Sequence, residues 1–260
     1  MIFDFHARAS RKIVFGSGYG GYTALPEFDR TWSFHGVRGP RTAAACGLDA
    51  RSVAGDTAIL IHRYRARPAK SGAGFAFMPH WHSVERGCWA KACELAGVRY
   101  IDPAAPVEEI LATIEGCGTL IAEAMHGAIV ADALRVPWIP LQPLHASHRM
   151  KWRDWAEALD LDLRPAALWP SSLGEASVTL RGGKGDGRRL AQARGALGAG
   201  VRAVDRGFVQ LAAMRLAQLT KVEPMLSSDA ALGRAVERLE RHAADIRRDY
   251  GCGAQWRLAL

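Results

Sequence analysis

The sequence predicts an α/β protein built on parallel β-sheet, and two patterns indicate this class. Between residues 75 and 141, short apolar runs typical of buried strands alternate with helical stretches, and the turns between them are brief. Residues 201–260 instead place apolar side chains at helical spacing. Because crossovers between parallel strands are right-handed, the alternating segment is expected to form a doubly wound sheet.

The first two strands are expected close to the start of the chain. Lys12–Phe15 has a strand pattern and runs into the glycine-rich loop Gly16–Gly21, and Trp32–Val37 is the second candidate. A helix is predicted to begin at Pro40, since proline suits the first helical turn. Arg38 therefore falls between a strand and a helix.

A short apolar run at Thr57–His62 is either a buried strand or a helical stub, and the basic segment Arg63–Gly74 indicates a linker. The regular segment follows this linker. Its expected strands are Phe75–Met78, Arg99–Ile101, Thr119–Ala122 and Trp138–Leu141, and its expected helices are Val84–Ala96, Pro106–Ile114 and His126–Leu134.

The rest of the chain is predicted to form a loop and then two helices. Arg181–Arg189 is rich in glycine and charge, as expected of a solvated loop, and it lacks the P-loop pattern. Ser227 and Ser228 are a helix-cap signal. These patterns predict an N-terminal domain at 1–70, a second domain at 71–170, a flexible loop at 171–200 and C-terminal helices at 201–260.

Composition and charge limit the class of protein. With 260 residues, of which 49% are hydrophobic, the chain is too apolar for a disordered protein and too long for a disulfide-stapled miniprotein. A net charge of +8 favours phosphates, nucleic acid or an anionic membrane face as partners, unless it serves solubility alone.

Cysteine usage and hydropathy predict a cytoplasmic protein. The 5 cysteines form no C-x-x-C pair, which indicates a reducing compartment. No apolar leader starts the chain, and charges interrupt its most apolar stretch, Leu120–Leu141. Neither a signal peptide nor a membrane-spanning helix is therefore expected.

Three strand-end junctions are candidate binding sites, because ligands of open α/β sheets bind at the carboxyl ends of strands. At the first, Gly16-x-Gly18-x-x-Gly21 has the letters of a dinucleotide fingerprint, but the next strand ends in Arg38 rather than in an acid. This loop is either a structural turn or part of another ligand site. At the second junction, Arg38 either faces solvent or binds a phosphate or carboxylate.

The third junction contains Glu123 and His126, three residues apart, and Gly127 allows close approach there. A histidine at such a place is either structural or a general base with a pKa tuned by the carboxylate.

Two further patterns are weaker. His80-x-His82 followed by Cys88-x4-Cys93 is not an established zinc spacing, so no metal is predicted. The tryptophans of Lys151–Trp155 are either a platform for sugar stacking or core residues.

Four segments taken together resemble one known family. They are Val37–Ala43 with Val-Arg-Gly-Pro, Gly55–Leu60, Met78–His80, and Glu123–Trp138 with Met-His-Gly-Ala-Ile. In this order the combination is similar to the polysaccharide pyruvyl transferases, particularly the succinoglycan-type ketolases of bacterial exopolysaccharide synthesis. The similarity covers residues 11–165 and extends more loosely into the helical tail.

The resemblance implies a fold and a reaction. The fold is α/β, with two Rossmann-like domains arranged as in the B-type glycosyltransferases, a helical C-terminal tail and an N-terminal half that lacks the first elements of the family. The implied enzyme transfers the pyruvyl group of phosphoenolpyruvate, a co-substrate, to two hydroxyls of a sugar, usually in a lipid-linked oligosaccharide, as a cyclic ketal. No other cofactor is implied.

The resemblance also implies roles for particular residues. His126 is the base, Arg38 the cation for phosphate and carboxylate, and Glu123 the acid, provided that burial raises its pKa. The residues expected to line the donor site are Gly16, Gly18, Arg38, Gly39, His80 and Gly127.

Two alternatives stay open: a glycosyltransferase that uses a nucleotide sugar, and a truncated, inactive relative that only binds an anionic ligand. The expected location is the cytoplasm, with peripheral contact at the inner membrane face through a lipid-linked acceptor. Nucleic acid is not an expected partner, because no aromatic and basic binding motif occurs.

Overall fold

The computed structural model describes most of the chain as two compact units. The described residues are 2–3, 5–21, 23–65, 72–143, 148–181 and 198–251. Unit 1 comprises Met1–Tyr64, Met150–Asp162 and Ser227–Leu260, and unit 2 comprises Arg65–Arg149 and Leu163–Leu226. Each unit combines parallel strands with helices, so the protein has the mixed α/β fold that the sequence predicts.

The described strands and helices follow one another along the chain in this order. They are β1 (Lys12–Ser17), β2 (Trp32–Val37), α1 (Pro40–Ala45), α2 (Ile61–Tyr64), β3 (Phe75–Met78), α3 (Trp81–Arg86), α4 (Trp89–Ala96), β4 (Arg99–Tyr100), α5 (Val107–Glu115), β5 (Thr119–Ala122), α6 (Met125–Ala133), β6 (Trp138–Pro140), α7 (Arg149–Ala158), α8 (Leu173–Leu180), α9 (Gly198–Leu219) and α10 (Asp229–Tyr250).

Unit 1 is built on the two-stranded parallel sheet of β1 and β2. Buried and more exposed side chains alternate along β1, so one face of the sheet is apolar, and Val14 and Val37 lie in the core beneath it. α10 packs on this sheet. The predicted cap at the start of α10 is confirmed, since Ser228 Oγ accepts a hydrogen bond of 3.1 Å from the Ala231 N–H.

Unit 2 is built on a four-stranded parallel sheet with the strand order β4-β3-β5-β6. The two central strands are adjacent, and Phe75 pairs with Thr119 while Met78 pairs with Ala122. Strands covered on both faces are continuous apolar runs, which is why the sequence marks them so clearly. The predicted bounds of β3 and β5 are confirmed.

Helices complete the core of unit 2. α9 packs against α4, and its predicted apolar face is confirmed: Val209, Ala212, Leu216 and Leu219 are buried in the same cluster as Phe77 and Trp89. Among the helices that the structure describes, none has the length and apolar character needed to cross a membrane. The four described cysteines are free thiols, and Cys252 lies outside the described residues.

The helix expected at Val84–Ala96 is interrupted in the structure. α3 ends before Gly87, where a Cβ atom would lie 2.5 Å from Ser171 Oγ, and the Cys88 N–H donates a hydrogen bond of 2.8 Å to the same oxygen. Gly87 and this contact with a distant segment together mark the break between α3 and α4. The run at Thr57–His62 is a helical stub, a 3₁₀ turn that leads into α2.

The units also divide the chain differently from the predicted domains. The first boundary falls after Tyr64 rather than near residue 70, and the two C-terminal helices belong to different units, α9 to unit 2 and α10 to unit 1. The expected loop at 171–200 contains α8, whose start is capped by Ser172. Residues 182–197 of that loop lie outside the described residues.

Candidate functional site

The residues assigned from the sequence fall into two polar clusters, one in each unit. We define the Arg38 cluster of unit 1 as Gly18, Arg38, Thr42, Lys151 and Asp154. We define the His126 cluster of unit 2 as His80, Ser83, Glu123, His126 and Gly127. Each cluster follows the carboxyl end of a parallel strand, which is the usual ligand-binding edge of an open α/β sheet.

Arg38 follows β2 and is almost completely buried, with 2% of its surface exposed. Its Nε donates a hydrogen bond of 3.2 Å to Asp154 Oδ2. Its Nη2 is also buried but has no hydrogen-bond partner among the described residues. A buried guanidinium with an unused donor is suited to an incoming anion, because leaving that donor unsatisfied is unfavourable.

Asp154 on α7 holds this arrangement together. Its carboxylate accepts hydrogen bonds from the Thr42 N–H at 2.8 Å, from Thr42 Oγ1 at 2.7 Å and from Arg38 Nε. This residue was not predicted from the sequence. The only local signal is that this acid lies between the fully buried Trp152 and Trp155, which are core residues rather than a sugar platform.

Two of the glycines in the predicted site allow close approach. A Cβ atom on Gly39 would lie 1.9 Å from the carbonyl oxygen of Asp154, so only glycine lets α7 come this near. A Cβ atom on Gly18 would lie 2.2 Å from Arg38 Cζ. Gly16 has a φ of +63° and turns the chain against Thr57.

The glycine-rich loop is attached to the Arg38 cluster by the Tyr19 N–H, which donates a hydrogen bond of 3.0 Å to Thr42 Oγ1. No helix follows β1 in the described part of residues 18–31. A dinucleotide fingerprint requires such a helix, so the loop is a turn beside Arg38 and not a dinucleotide site.

Lys151 is the second cation of the cluster. It lies three residues before Asp154 on α7, hence on the same face of the helix, and it is half-buried. Burial lowers the pKa of Lys151 to about 8, and the positive charge of Arg38 contributes to the decrease.

In unit 2, Glu123 links the ends of the two central strands. It follows β5 and is buried. Its Oε2 accepts a hydrogen bond of 2.8 Å from the His80 N–H, and its Oε1 accepts one of 2.9 Å from Ser83 Oγ. The carboxyl group therefore fixes the turn that carries His80 after β3.

Burial raises the pKa of Glu123 to about 8, and the negative charge of Glu175 contributes to the rise, while the hydrogen bonds from His80 and Ser83 oppose it. Glu123 therefore holds a proton at neutral pH. Glu175, which was not predicted from the sequence, is itself buried and accepts a hydrogen bond of 2.7 Å from Trp89 Nε1.

His126 lies in the first turn of α6, immediately after this buried carboxyl group, and its side chain is exposed. A Cβ atom on Gly127 would lie 2.7 Å from Met78 Sδ, so the glycine lets α6 pack closely on the end of β3. The rings of His80 and His148 are also near, with centroids 4.7 Å apart. In the described parts of the chain, no three His, Cys, Asp or Glu side chains are placed to hold a metal ion.

Parallel sheets with polar side chains at the carboxyl ends of their strands are typical of α/β enzymes. The family profile of polysaccharide pyruvyl transferase matches residues 1–144, more than half of the chain. The chain belongs to this family, as its motifs indicate, and is accordingly a transferase of polysaccharide synthesis.

Among known proteins, the chain is similar to succinoglycan biosynthesis protein ExoV of Rhizobium meliloti (strain 1021). The two are 31% identical over an alignment 265 residues long, which covers 94% of this chain and 84% of ExoV. No solved structure gives a significant match.

Proposed function

We propose that the protein transfers the pyruvyl group of phosphoenolpyruvate to two hydroxyls of one sugar in a polysaccharide repeat unit. The observation that carries this proposal is the buried Nη2 of Arg38, which has no partner among the described residues and is suited to the phosphate or carboxylate of the donor. Family membership and the role of ExoV in succinoglycan synthesis support the choice of reaction.

The reaction needs one acid, one base and a cation. A proton adds to the methylene carbon of phosphoenolpyruvate, which makes the central carbon electrophilic, and a sugar hydroxyl attacks that carbon. The bond from the central carbon to the phosphate oxygen breaks, and the second hydroxyl closes the cyclic ketal. One proton from the two hydroxyls balances the new methyl group, and the other leaves with phosphate.

Each cluster contains a side chain whose chemistry suits one of these steps. We assign Arg38 to the negative charge of the donor and His126 to the removal of a hydroxyl proton, because its imidazole is exposed and histidine is the side chain that most often serves as a general base. Glu123 holds the proton that an acid requires, since burial raises its pKa to about 8. The assignment of Glu123 as the acid stays a prediction.

The remaining lining residues take supporting roles in this proposal. Gly18 and Gly39 give Arg38 and Asp154 the space that they occupy, and Gly16 shapes the adjoining turn. His80 and Gly127 border the carboxyl group of Glu123 and the exposed His126. No metal and no further cofactor enter the scheme.

The proposal includes the setting of the reaction. We propose Rossmann-like units, a cytoplasmic location and a lipid-linked acceptor reached at the inner membrane face. The net charge of +8 supports attraction to an anionic donor and to the phosphates of such an acceptor.

The experiment that tests this function supplies the full chain with phosphoenolpyruvate and a lipid-linked oligosaccharide, and follows phosphate release and the mass of the sugar product. We expect phosphate release that depends on the acceptor, and a product that carries one pyruvate ketal. Turnover of UDP- or GDP-sugars instead would establish the glycosyltransferase alternative. Binding of phosphoenolpyruvate without turnover would indicate the inactive relative.

A further inference from the structure

Among the residues that the structure describes, Lys151 has no anionic partner of its own. Its side chain makes neither a hydrogen bond nor an ion pair with any of them, although it is half-buried on the face of α7 that carries Asp154. A lysine often buries its aliphatic stem while its ammonium group stays in water. Burial and the charge of Arg38 nevertheless lower the pKa of Lys151, so two cations lie close together and this pairing needs a reason.

Asp154 does not supply that reason. Its two carboxylate oxygens already accept hydrogen bonds from the Thr42 N–H, Thr42 Oγ1 and Arg38 Nε. The cluster therefore contains two cations, Arg38 and Lys151, and one carboxylate that is fully used. Two cations that are held close together repel each other unless an anion joins them.

A second, independent observation indicates where the anion binds. Arg38 is 2% exposed, yet its Nη2 has no hydrogen-bond partner in the described parts of the chain. An unused donor and an unpaired ammonium group thus belong to one cluster, held in place by the same aspartate. Both would be satisfied by a single group with several acceptor oxygens.

We propose that Lys151 is a donor-binding residue, and that it binds the phosphate group of phosphoenolpyruvate together with Arg38. The identity of this ligand rests on the proposed function, but the pairing of the two cations does not. The planar guanidinium of Arg38 orients the phosphate group, and the flexible ammonium group of Lys151 stays in contact with the phosphate as it leaves.

This role makes donor binding depend on pH in a particular way. The pKa of Lys151 is about 8 in the free protein, so the cluster loses one positive charge as the pH rises through that value. The other charged groups of this cluster are Arg38 and Asp154, and the ion pair of Arg41 with Glu157 lies on the adjoining helices α1 and α7. Binding above pH 8 should therefore take up a proton.

The test measures binding of inorganic phosphate and of phosphoenolpyruvate to the full chain by calorimetry, below and above pH 8. Lys151→Met should weaken both by about tenfold to a hundredfold, because a charge-assisted hydrogen bond is lost. Lys151→Arg should keep most of the affinity and should remove its decline above pH 8. Arg153→Met is the matched control, since Arg153 is an exposed cation on the same helix, and we expect no change.

Two results would overturn the inference: wild-type affinity in Lys151→Met, or no phosphate binding by the wild-type chain. Thermal unfolding shows whether Lys151→Met is folded, and Lys151→Arg provides the second variant in case it is not. If phosphate binds through Lys151 but no pyruvyl transfer occurs, the proposed function fails and the two-cation site stands. If pyruvyl transfer occurs and Lys151→Met has an unchanged KM for phosphoenolpyruvate, the proposed function stands and the two-cation site fails.

Discussion

The backbone of Gly18 contacts the guanidinium of Arg38 so closely that a methyl group on Gly18 would lie 2.2 Å from both Arg38 Cζ and Nη2. The absence of a side chain on Gly18 thus leaves the space that the Arg38 guanidinium occupies. This contact explains why a glycine is found just after β1, and it leads to the first prediction.

Gly18→Ala should displace the Arg38 guanidinium and weaken donor binding by about tenfold or more, as loss of a charge-assisted hydrogen bond would. The chain should still fold, because the clash is with the far end of a side chain. The KM for phosphoenolpyruvate and the thermal midpoint are the measurements. Gly207→Ala is the control, since Gly207 is exposed on α9 and a methyl group added there would have no other atom within 4 Å, so its KM should match the wild type.

Asp154→Asn should reduce the free energy of unfolding by about 3–5 kcal/mol, because it leaves the buried Arg38 without its charged partner. Urea denaturation gives this value. Asp160→Asn breaks an exposed pair with Arg234 and should cost at most about 1 kcal/mol. Equal losses in the two variants would contradict the assignment of Asp154 as the buried anchor.

Glu123→Gln should change how stability depends on pH. The pKa of Glu123 is 4.5 in the unfolded chain and about 8 in the folded chain. The contribution of this carboxyl group to the free energy of unfolding is therefore full below pH 4.5 and is lost as the pH rises through 8. As the pH rises between these values, the free energy of unfolding of Glu123→Gln should increase relative to that of the wild type by up to about 1.4 kcal/mol per pH unit.

Unfolding free energies measured across this pH range test the prediction. Glu109→Gln, which changes an exposed carboxylate on α5, should follow the wild-type curve. Parallel curves for Glu123→Gln and the wild type would show that the pKa of this carboxyl group is the same in the folded and the unfolded chain.

His126→Gln should lower kcat for pyruvyl transfer by about a hundredfold to ten-thousandfold, since it removes the proposed base while keeping a polar side chain of similar size. The KM for phosphoenolpyruvate should change little, because the Arg38 cluster is intact. His62→Gln, at an exposed position on α2, is the control and should retain full activity. Unchanged turnover in His126→Gln would remove this residue from the mechanism.

The fold of unit 2 is the part that the sequence predicts best. β3 and β5 are short apolar runs with sharp ends, because both of their faces are covered, and their observed bounds match the prediction. The assignment of α10 to unit 1 was not predictable, since periodicity identifies the apolar face of a helix but not the surface that covers it.

The same limit applies to the site. Arg38 and His126 could be found because each follows a strand, and the ends of parallel strands are where ligands bind. Asp154 and Lys151 could not, because they are distant in sequence and their importance comes from a tertiary contact. An acid between two tryptophans has no property, read alone, that distinguishes it from an acid on the surface.

The sequence separation of Arg38 and Asp154 also determines how early their contact can form during synthesis. Arg38 and Asp154 are 116 residues apart, and at the usual pace of synthesis the ribosome needs roughly 6 to 23 s to make the intervening chain. Throughout that interval Asp154 is absent from the nascent chain, and α10, which covers the sheet of unit 1, is still to come. The order of translation therefore makes the contact between Arg38 and Asp154 one of the later contacts that a new molecule forms.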